Sequence, residues 1–356
     1  MDHRFSLPMR PVGDTGLQLT ELGFGAASLG NLGRRIADDT ARAAVAAGLA
    51  AGVRFFDTAP YYGRGLSERR LGDALREARD ETTIVTTKVG RLLVPDASFA
   101  SDEEREGFLS PMPFRVTYDY SRDGILRSVE ASMHRLGLDR VDMLFVHDIG
   151  RRSLGDAHPA HWHQLTREGG FDALVSLREQ GVIRAFGLGV NEVEVCLDAI
   201  DVAPLDVLLL ANRYTLLEQT PLDTLFPLCA ARGIAVIAGA PFNSGILATG
   251  TRGAGTPIYD YAPAPPSVVA RVRRIEAIAD AWNIPLAAAA LQFPLRHPCI
   301  VSVLPGIADP QRMEQTLANY RLAIPDAFWR DLADQGLIRP DSVANVPTTP
   351  SSERHM

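Results

Sequence analysis

Residues 53–88 read VRFFDTAPYYGRGLSERRLGDALREARDETTIVTTK, and they contain a strand, a turn, a helix and a second strand in succession. Val53-Arg54-Phe55-Phe56-Asp57 is short, apolar and aromatic, which is strand composition. After a polar turn, Ser67 to Ala78 carries a helical pattern with Ser67 as its N-cap. Thr83-Ile84-Val85-Thr86-Thr87-Lys88 is β-branched almost throughout and forms the next strand. Strands that are apolar nearly end to end, with a helix between them, belong to a parallel sheet covered by helices.

The same unit recurs on both sides. Leu22 to Ala26 supplies an earlier strand, and Val141 to His147, Ile183 to Val190, Asp206 to Asn212, Ile234 to Ala240 and Ile300 to Leu304 supply later ones. Helical patterns lie between them: Asp39 to Ala51 with an acidic first turn, Ser121 to Leu138 with a Ser N-cap, Phe171 to Gln180, Glu192 to Ile200, Leu222 to Arg232, Pro285 to Arg296 and Pro310 to Tyr320. Eight such units predict a (β/α)8 barrel in the α/β class, with an N-terminal β-hairpin turned at Gly13–Gly16. The rival, a doubly wound nucleotide-binding sheet, needs G-x-G-x-x-G after its first strand. Gly23-Phe24-Gly25 is followed by Ala-Ala-Ser-Leu instead. Residues 1–340 therefore read as one barrel domain and 341–356 as a flexible, Pro/Ser/Thr-rich tail. Three long segments, Arg91–Tyr120, Asp148–Gly170 and Phe242–Pro266, follow strand ends and would sit over the barrel mouth as lids or linkers.

Composition narrows the partners. The chain is 46% hydrophobic over 356 residues, enough for a large core, and its net charge is -7. That balance argues against nucleic acid or an anionic membrane surface. Cys196, Cys229 and Cys299 are isolated, with no CxxC pair, which suits a reducing cytoplasm. No signal-peptide core and no membrane-length apolar run is present. A monomer or homodimer acting on a small molecule is the expectation.

Barrels of this kind place their chemistry at the C-terminal ends of the strands. Those positions hold Asp57, Lys88, His147, Asn191 and Tyr214, with Tyr62 five residues beyond Asp57. An ionisable group ending an apolar strand is costly unless it is paired, so three consecutive strands ending this way point to a shared polar site. A phenol has a pKa of about 10, too high for ready proton exchange near neutrality. A lysine beside Tyr62 would lower it, Asp57 would hold that lysine charged, and His147 would hydrogen-bond a substrate oxygen. Each residue taken singly also has a plain structural reading, Asp57 and Lys88 as an ion pair and Tyr62 as packing. The histidines 158, 161 and 163 suit a solvated, flexible loop, and no metal is expected.

The stretch Phe56-Asp57-Thr58-Ala59-Pro60-Tyr61-Tyr62-Gly63 through Glu68 resembles the signature of the aldo-keto reductase superfamily. Thr86-Thr87-Lys88 and Leu136-Gly137-Leu138-Asp139-Arg140-Val141-Asp142, leading to His147, are similar to two further family motifs, and the match runs from about Leu7 to Leu322. The resemblance implies that Asp57, Tyr62, Lys88 and His147 form a catalytic tetrad and that NAD or NADP lies across the barrel mouth. On that reading Gly25 and Ala26 lie beneath the reacting centre, and Tyr214 stacks on the nicotinamide. Asn191 meets the carboxamide, and Asp57 also counts among the cofactor contacts. The loop Ala240, Pro241, Phe242, Asn243, Ser244, Gly245 and Leu247 holds the pyrophosphate, and Gly306, Arg312, Gln315 and Thr316 meet the adenosine end. The sequence departs from the family where a Ser-Asn pair is reduced to Asn191, where Ala211 replaces a Gln, and where Thr316 replaces an Asn. Gly306 also stands where a lysine is common, so the expectation leans to NAD, with dual use open.

Tyr118-Asp119-Tyr120-Ser121, His147-Asp148 and Ala211 through Glu218 resemble a bacterial branch of the family that oxidises aldoses such as L-fucose, or pyridoxal. The resemblance implies oxidation of a cyclic hemiacetal of the L-fucose, D-arabinose or L-galactose type to a lactone, with Tyr62 as proton acceptor and Tyr62, His147 and Asp148 touching substrate. Arg151, Arg152, Trp162, Tyr259 and Tyr261 are further candidates for sugar hydroxyls. The alternatives are a pyridoxal 4-dehydrogenase, an NADPH-dependent aldehyde reductase, a non-catalytic subunit that senses cofactor, and a metal-dependent hydrolase barrel. The last lacks the paired histidines a divalent site usually takes.

Overall fold

The computed structural model describes residues 6–342 apart from 77, 79, 80, 101 and 254. Eight strands form one sheet in chain order: β1 (Phe24–Gly25), β2 (Phe55–Asp57), β3 (Ile84–Val89), β4 (Met143–His147), β5 (Ala185–Val190), β6 (Val207–Ala211), β7 (Ala235–Gly239) and β8 (Ile300–Leu304). Every neighbouring pair is parallel. Bridges from Leu22 to Val303 and from Gly25 to Gly306 join the two edges, so the sheet closes into the expected (β/α)8 barrel. Around it run α1 (Asp38–Ala50), α2 (Leu66–Arg76), α3 (Arg122–Leu136), α4 (Gly170–Glu179), α5 (Glu194–Ile200), α6 (Leu225–Arg232), α7 (Leu286–Gln292) and α8 (Pro310–Arg321). Two more helices, Pro266–Ala281 and Asp326–Asp334, pack outside this ring.

Strand alternation divides the apolar residues into two cores. Phe55, Ile84, Met143, Phe145, Val207, Leu209 and Ile237 fill the barrel interior, while Phe56, Val85, Leu144, Phe186, Leu208 and Val236 face the helices. The N-terminal hairpin, Met9–Pro11 against Gln18–Thr20, adds Val12, Leu17 and Leu19 to the interior cluster and plugs the end where the strands begin. The opposite end is thereby the open one.

Local signals mostly hold. Ser121 caps α3 by accepting from the Gly124 amide at 3.2 Å, and Asp38 and Asp39 open α1. Ser67 does not cap α2: the helix begins a residue earlier, and the Ser67 hydroxyl is buried, donating to the Ala26 carbonyl at 2.7 Å. A cap needs a free side chain, and this one is spent on tying α2 to the end of β1.

The three long segments are built rather than loose. Arg91–Pro95 pairs with Phe114–Tyr118, and a smaller ribbon joins Glu104–Arg105 to Phe108–Leu109. The second segment holds a helix, His158–Arg167, so the three histidines do not lie on a flexible loop. His158 is buried with Nδ1 2.8 Å from the Ile149 carbonyl, and its ring stacks on Trp162. Among the described residues no cluster could hold a metal ion, and no helix is long and apolar enough to cross a membrane. Of the tail expected to be flexible, Asp341 and Ser342 belong to a short 3-10 turn, and the remainder lies outside the described residues.

Candidate active site

Alternation also fixes where the charged strand ends point. Asp57 shares the inward parity of Phe55, Lys88 that of Ile84, and His147 that of Met143 and Phe145, so all three rise from the interior at the open end. Register brings them level: Gly25 lies opposite Asp57, Asp57 opposite Thr86, and Lys88 opposite Phe145. Lys88 Nζ donates to Asp57 Oδ2 at 2.6 Å and to the Thr58 carbonyl at 2.9 Å, while Thr86 donates to Asp57 Oδ1 at 2.8 Å. The lysine stem passes beside β5, where a Cβ on Gly189 would stand 3.3 Å from Lys88 Cε and 3.1 Å from Phe145 Cβ. A side chain there would press the stem aside by a few tenths of an ångström.

Tyr62 comes from the turn after β2. Gly63 adopts φ 61, and a Cβ on it would meet the Gly30 carbonyl oxygen at 2.5 Å. A larger residue at 63 would push the turn off Gly30 and carry Tyr62 with it. Arg64, buried at φ 54, donates to Glu106 at 2.9 Å, and Gly63 accepts from the Met112 amide at 3.0 Å, so the first insertion braces the same turn. Lys88 Nζ stands 4.7 Å from the centre of the Tyr62 ring, and the His147 ring meets that ring edge-on at 6.0 Å.

Electrostatics follow from this enclosure. Burial raises the Tyr62 phenol above its ordinary value, and the Lys88 charge offsets only part of the rise. The net effect corrects the expectation of a lowered phenol: burial penalises the phenolate more than one ammonium favours it. Burial alone would push Lys88 down, but Asp57 and Tyr62 more than reverse this and hold it charged. Burial, together with the Arg91 and Lys88 charges, pushes His147 well below the usual histidine value, so its imidazole is neutral at neutral pH. Its Nδ1 is buried without a partner, and its Nε2 stands 3.6 Å from Asp148 Oδ2.

Two residues that sequence reasoning did not single out join the group. Arg91, in the first insertion, donates to Asp148 Oδ2 at 2.7 Å and lies 4.4 Å over the Tyr61 ring. The signal available was a charged residue placed three positions after Lys88 at the same barrel end. Asn212, fully buried at φ 60, donates to the Tyr261 hydroxyl at 3.1 Å, while its own Oδ1 has no partner. Tyr261 sits at the tip of the hairpin Ile258–Tyr259 with Ala262–Pro263. Neighbouring Asp260 pairs with Arg152 at 2.5 Å and Arg213 at 3.2 Å, and the Tyr261 amide donates to Ser244 at 3.0 Å. Of the other loop candidates, Tyr259 bonds Glu218, Arg151 reaches Asp198 at the surface, and Trp162 packs outward on His158 and Phe171. Arg151 and Trp162 are thereby engaged away from the mouth.

The residues expected to hold a nicotinamide cofactor divide. Asn191 Oδ1 is buried without a partner at the end of β5, as Asn212 Oδ1 is beyond β6, and two such acceptors suit a carboxamide N–H. Gly25 and Ala26 lie at the mouth end of β1, with Ala26 buried. Tyr214 does not reach the mouth: it is 1% exposed, with its ring against Phe226, Phe293 and His297 in the outer core. Both faces are covered by protein, so it cannot stack on a cofactor without unpacking. In the loop after β7, Ala240 is at φ 49 and Pro241 is buried. The amides of Asn243, Gly245 and Leu247 already donate to the Ala240 and Phe242 carbonyls, and the Asn243 side chain accepts from Thr215. For a phosphate, this loop would have only its remaining groups to offer, Ser244 among them, held at φ 61. At the start of α8, Asp309 accepts from the Arg312 amide at 2.7 Å and pairs with Arg34. Arg312 and Gln315 are exposed, Thr316 is buried, and Gly306 lies beside Ser28.

Comparison with known proteins agrees with this geometry. The sequence pattern of the Aldo/keto reductase family matches residues 21–335. The chain is 44% identical over 336 residues to a pyridoxal 4-dehydrogenase of Microbacterium luteolum, covering 92% of this chain and 97% of the relative. It is 38% identical over 325 residues to a D-threo-aldose 1-dehydrogenase of a Pseudomonas species, covering 91% and 96%. A solved aldo-keto reductase of Bacillus halodurans, in a holo form, superposes with a TM-score of 0.71 at 23% identity, covering 96% of this chain and 99% of that one.

Proposed function

The chain belongs to the aldo/keto reductase family and is an oxidoreductase, and from that premise we propose that it oxidises the cyclic hemiacetal of an aldose to a lactone. The aldose is of the L-fucose, D-arabinose or L-galactose type, and similarity to a D-threo-aldose 1-dehydrogenase supports that choice. The observation that carries the reading is the buried Asp57–Lys88 pair standing under the Tyr62 ring beside a neutral His147.

The division of labour follows from charge and protonation. His147, being neutral, donates one N–H to the hemiacetal hydroxyl and fixes that oxygen near Tyr62. Tyr62 takes the hydroxyl proton as the carbon–hydrogen bond breaks and the exocyclic C=O forms. Lys88 favours the phenolate that must exist for this step, and Asp57 keeps Lys88 charged and aimed. NAD or NADP, when bound, accepts the hydride. Asn191 and Asn212 supply the unpartnered acceptors for its carboxamide, Gly25 and Ala26 the floor, Ser244 and the other uncommitted groups of the Ala240–Leu247 loop the phosphate contacts, and Gly306, Arg312, Gln315 and Thr316 the adenosine end. Asp309 at the start of α8 supports NAD, because a carboxylate there repels a 2′-phosphate and already occupies Arg34 and the Arg312 amide. Three free cysteines suit a reducing, cytoplasmic setting.

A second reading, oxidation of pyridoxal hemiacetal to its lactone, is favoured by the 44% identity to a pyridoxal 4-dehydrogenase. A panel of L-fucose, L-galactose, D-arabinose, L-xylose and pyridoxal with each cofactor, followed by reduced-cofactor absorbance, separates the two. Turnover of pyridoxal alone selects the second reading, and turnover of none removes both. Tyr62→Phe is expected to lower kcat by roughly 10²–10⁴-fold while cofactor binding stays unchanged.

A further inference from the structure

Beside His147 stands a charged pair that proton and hydride transfer do not use. Arg91 is 7% exposed at its side chain and gives one hydrogen bond to Asp148, at 2.7 Å from its Nη2. Its Nε is buried and has no partner. A buried, unpaired guanidinium N–H is costly in a folded protein, and a ligand hydroxyl would relieve that cost. Asp148 is held just as deliberately. It follows His147 directly, adopts φ 45, and anchors its amide on the Gly189 carbonyl at 2.9 Å. Both Arg91 and His147 contact the same oxygen, Oδ2, which leaves Oδ1 outside these contacts. The guanidinium also lies over the Tyr61 ring at 4.4 Å, with the Tyr118 ring at 5.7 Å, which helps hold its position.

We propose that Arg91 is a specificity-determining residue that, with Asp148, reads a hydroxyl lying near the reacting hemiacetal carbon. A hydroxyl both donates and accepts. It can give its hydrogen to Asp148 Oδ1 and receive one from Arg91 Nε, which is the pair of positions this cluster leaves open. Because Asp148 Oδ2 is 3.6 Å from His147 Nε2, a hydroxyl held there lies close to the oxygen that His147 orients. The ligand is thus a cyclic hemiacetal with a neighbouring hydroxyl: the 2-hydroxyl of an aldose or the ring hydroxyl of pyridoxal. The inference rests on the hemiacetal reading above and deepens it.

A substrate-by-mutation cycle tests it. L-fucose and 2-deoxy-L-fucose form one pair, and pyridoxal and its 3-deoxy analogue the other, each assayed on the wild type and on Arg91→Lys. The lysine keeps the charge facing Asp148 and removes the Nε donor. Loss of the hydroxyl should cost the wild type about tenfold to a hundredfold in kcat/KM, as expected when a buried polar group is left unpaired. In Arg91→Lys the two members of a pair should converge to within about threefold. Equal penalties in both enzymes, or a wild type indifferent to the hydroxyl, overturn the assignment, because a residue that only supports the fold slows both substrates alike. Should the wild type turn over only the pyridoxal pair, the aldose reading falls while the same comparison still decides on Arg91. Turnover of neither pair overturns both.

Discussion

Replacing Lys88 by methionine isolates the charge that acts on Tyr62. The side chain is 2% exposed, so solvent screens it little, and its Nζ lies 4.7 Å from the phenol ring centre. At an effective dielectric of 20, unit charges at that separation interact by about 3.5 kcal/mol. Lys88→Met should therefore make the phenolate about 3.5 kcal/mol harder to form, which lowers kcat/KM for oxidation by roughly several hundredfold at a given pH. Because burial already holds the Tyr62 phenol above its ordinary value, oxidation should quicken as pH rises in both enzymes, with the variant's curve displaced to higher pH. Asp57, losing its partner, takes up a proton rather than remaining as an unpaired buried anion. The assay is initial velocity of cofactor reduction from pH 6 to about 10, with cofactor binding followed by fluorescence quenching as a control. A variant that binds cofactor normally and stays within threefold of wild type across that range would falsify the role given to Lys88. A wild-type oxidation rate that does not rise with pH over that range would sink the reasoning just as surely.

Other outcomes follow from geometry on the page. Glu68 is fully buried, accepting from Thr87 at 2.7 Å and from Arg135 at 2.5 Å, so Glu68→Ala should cost about 3–5 kcal/mol in urea unfolding by stranding the arginine. Burial pushes His297 down to about 4 and His147 well below its usual value. The unfolded chain protonates both near 6.5, so stability is complete above that pH and declines as pH falls from there toward 4. His297→Phe should flatten the fall of Tm over this window, and an unchanged slope would show that other groups set it. Asp309→Asn removes the carboxylate at the start of α8, and the kcat/KM ratio of NADP to NAD should rise about tenfold, a change of about 1.4 kcal/mol. No change in that ratio would place cofactor discrimination elsewhere.

The barrel was legible because its evidence is local. Apolar runs such as Ile84–Val89 and Met143–His147 are buried along their whole length, and the parity of their last residues already points Asp57, Lys88 and His147 inward. What could not be read depends on contacts between residues distant in the chain. Tyr214 stands two residues beyond Asn212, where φ 60 redirects the backbone, and its ring is captured by Phe293 and His297 about eighty positions later. The first insertion shows no periodicity because its ribbons are paired across it, with Arg91 opposite Tyr118. Ser67 looked like a cap, since its burial against the Ala26 carbonyl is set by the approach of α2 to β1. The raised Tyr62 phenol is likewise a property of enclosure, which motif spacing does not encode.

Asp260 has a consequence for how substrate choice can change. One carboxylate grips Arg152 beyond β4 and Arg213 beyond β6, while the adjoining Tyr261 amide holds Ser244 beyond β7. Segments contributed by three different strands are thereby geared together, and an insertion or deletion in any one is transmitted to the other two. Swapping a single mouth segment from a relative would import a part cut for a different mechanism, and chimeras should retain activity only when all three segments travel as a set.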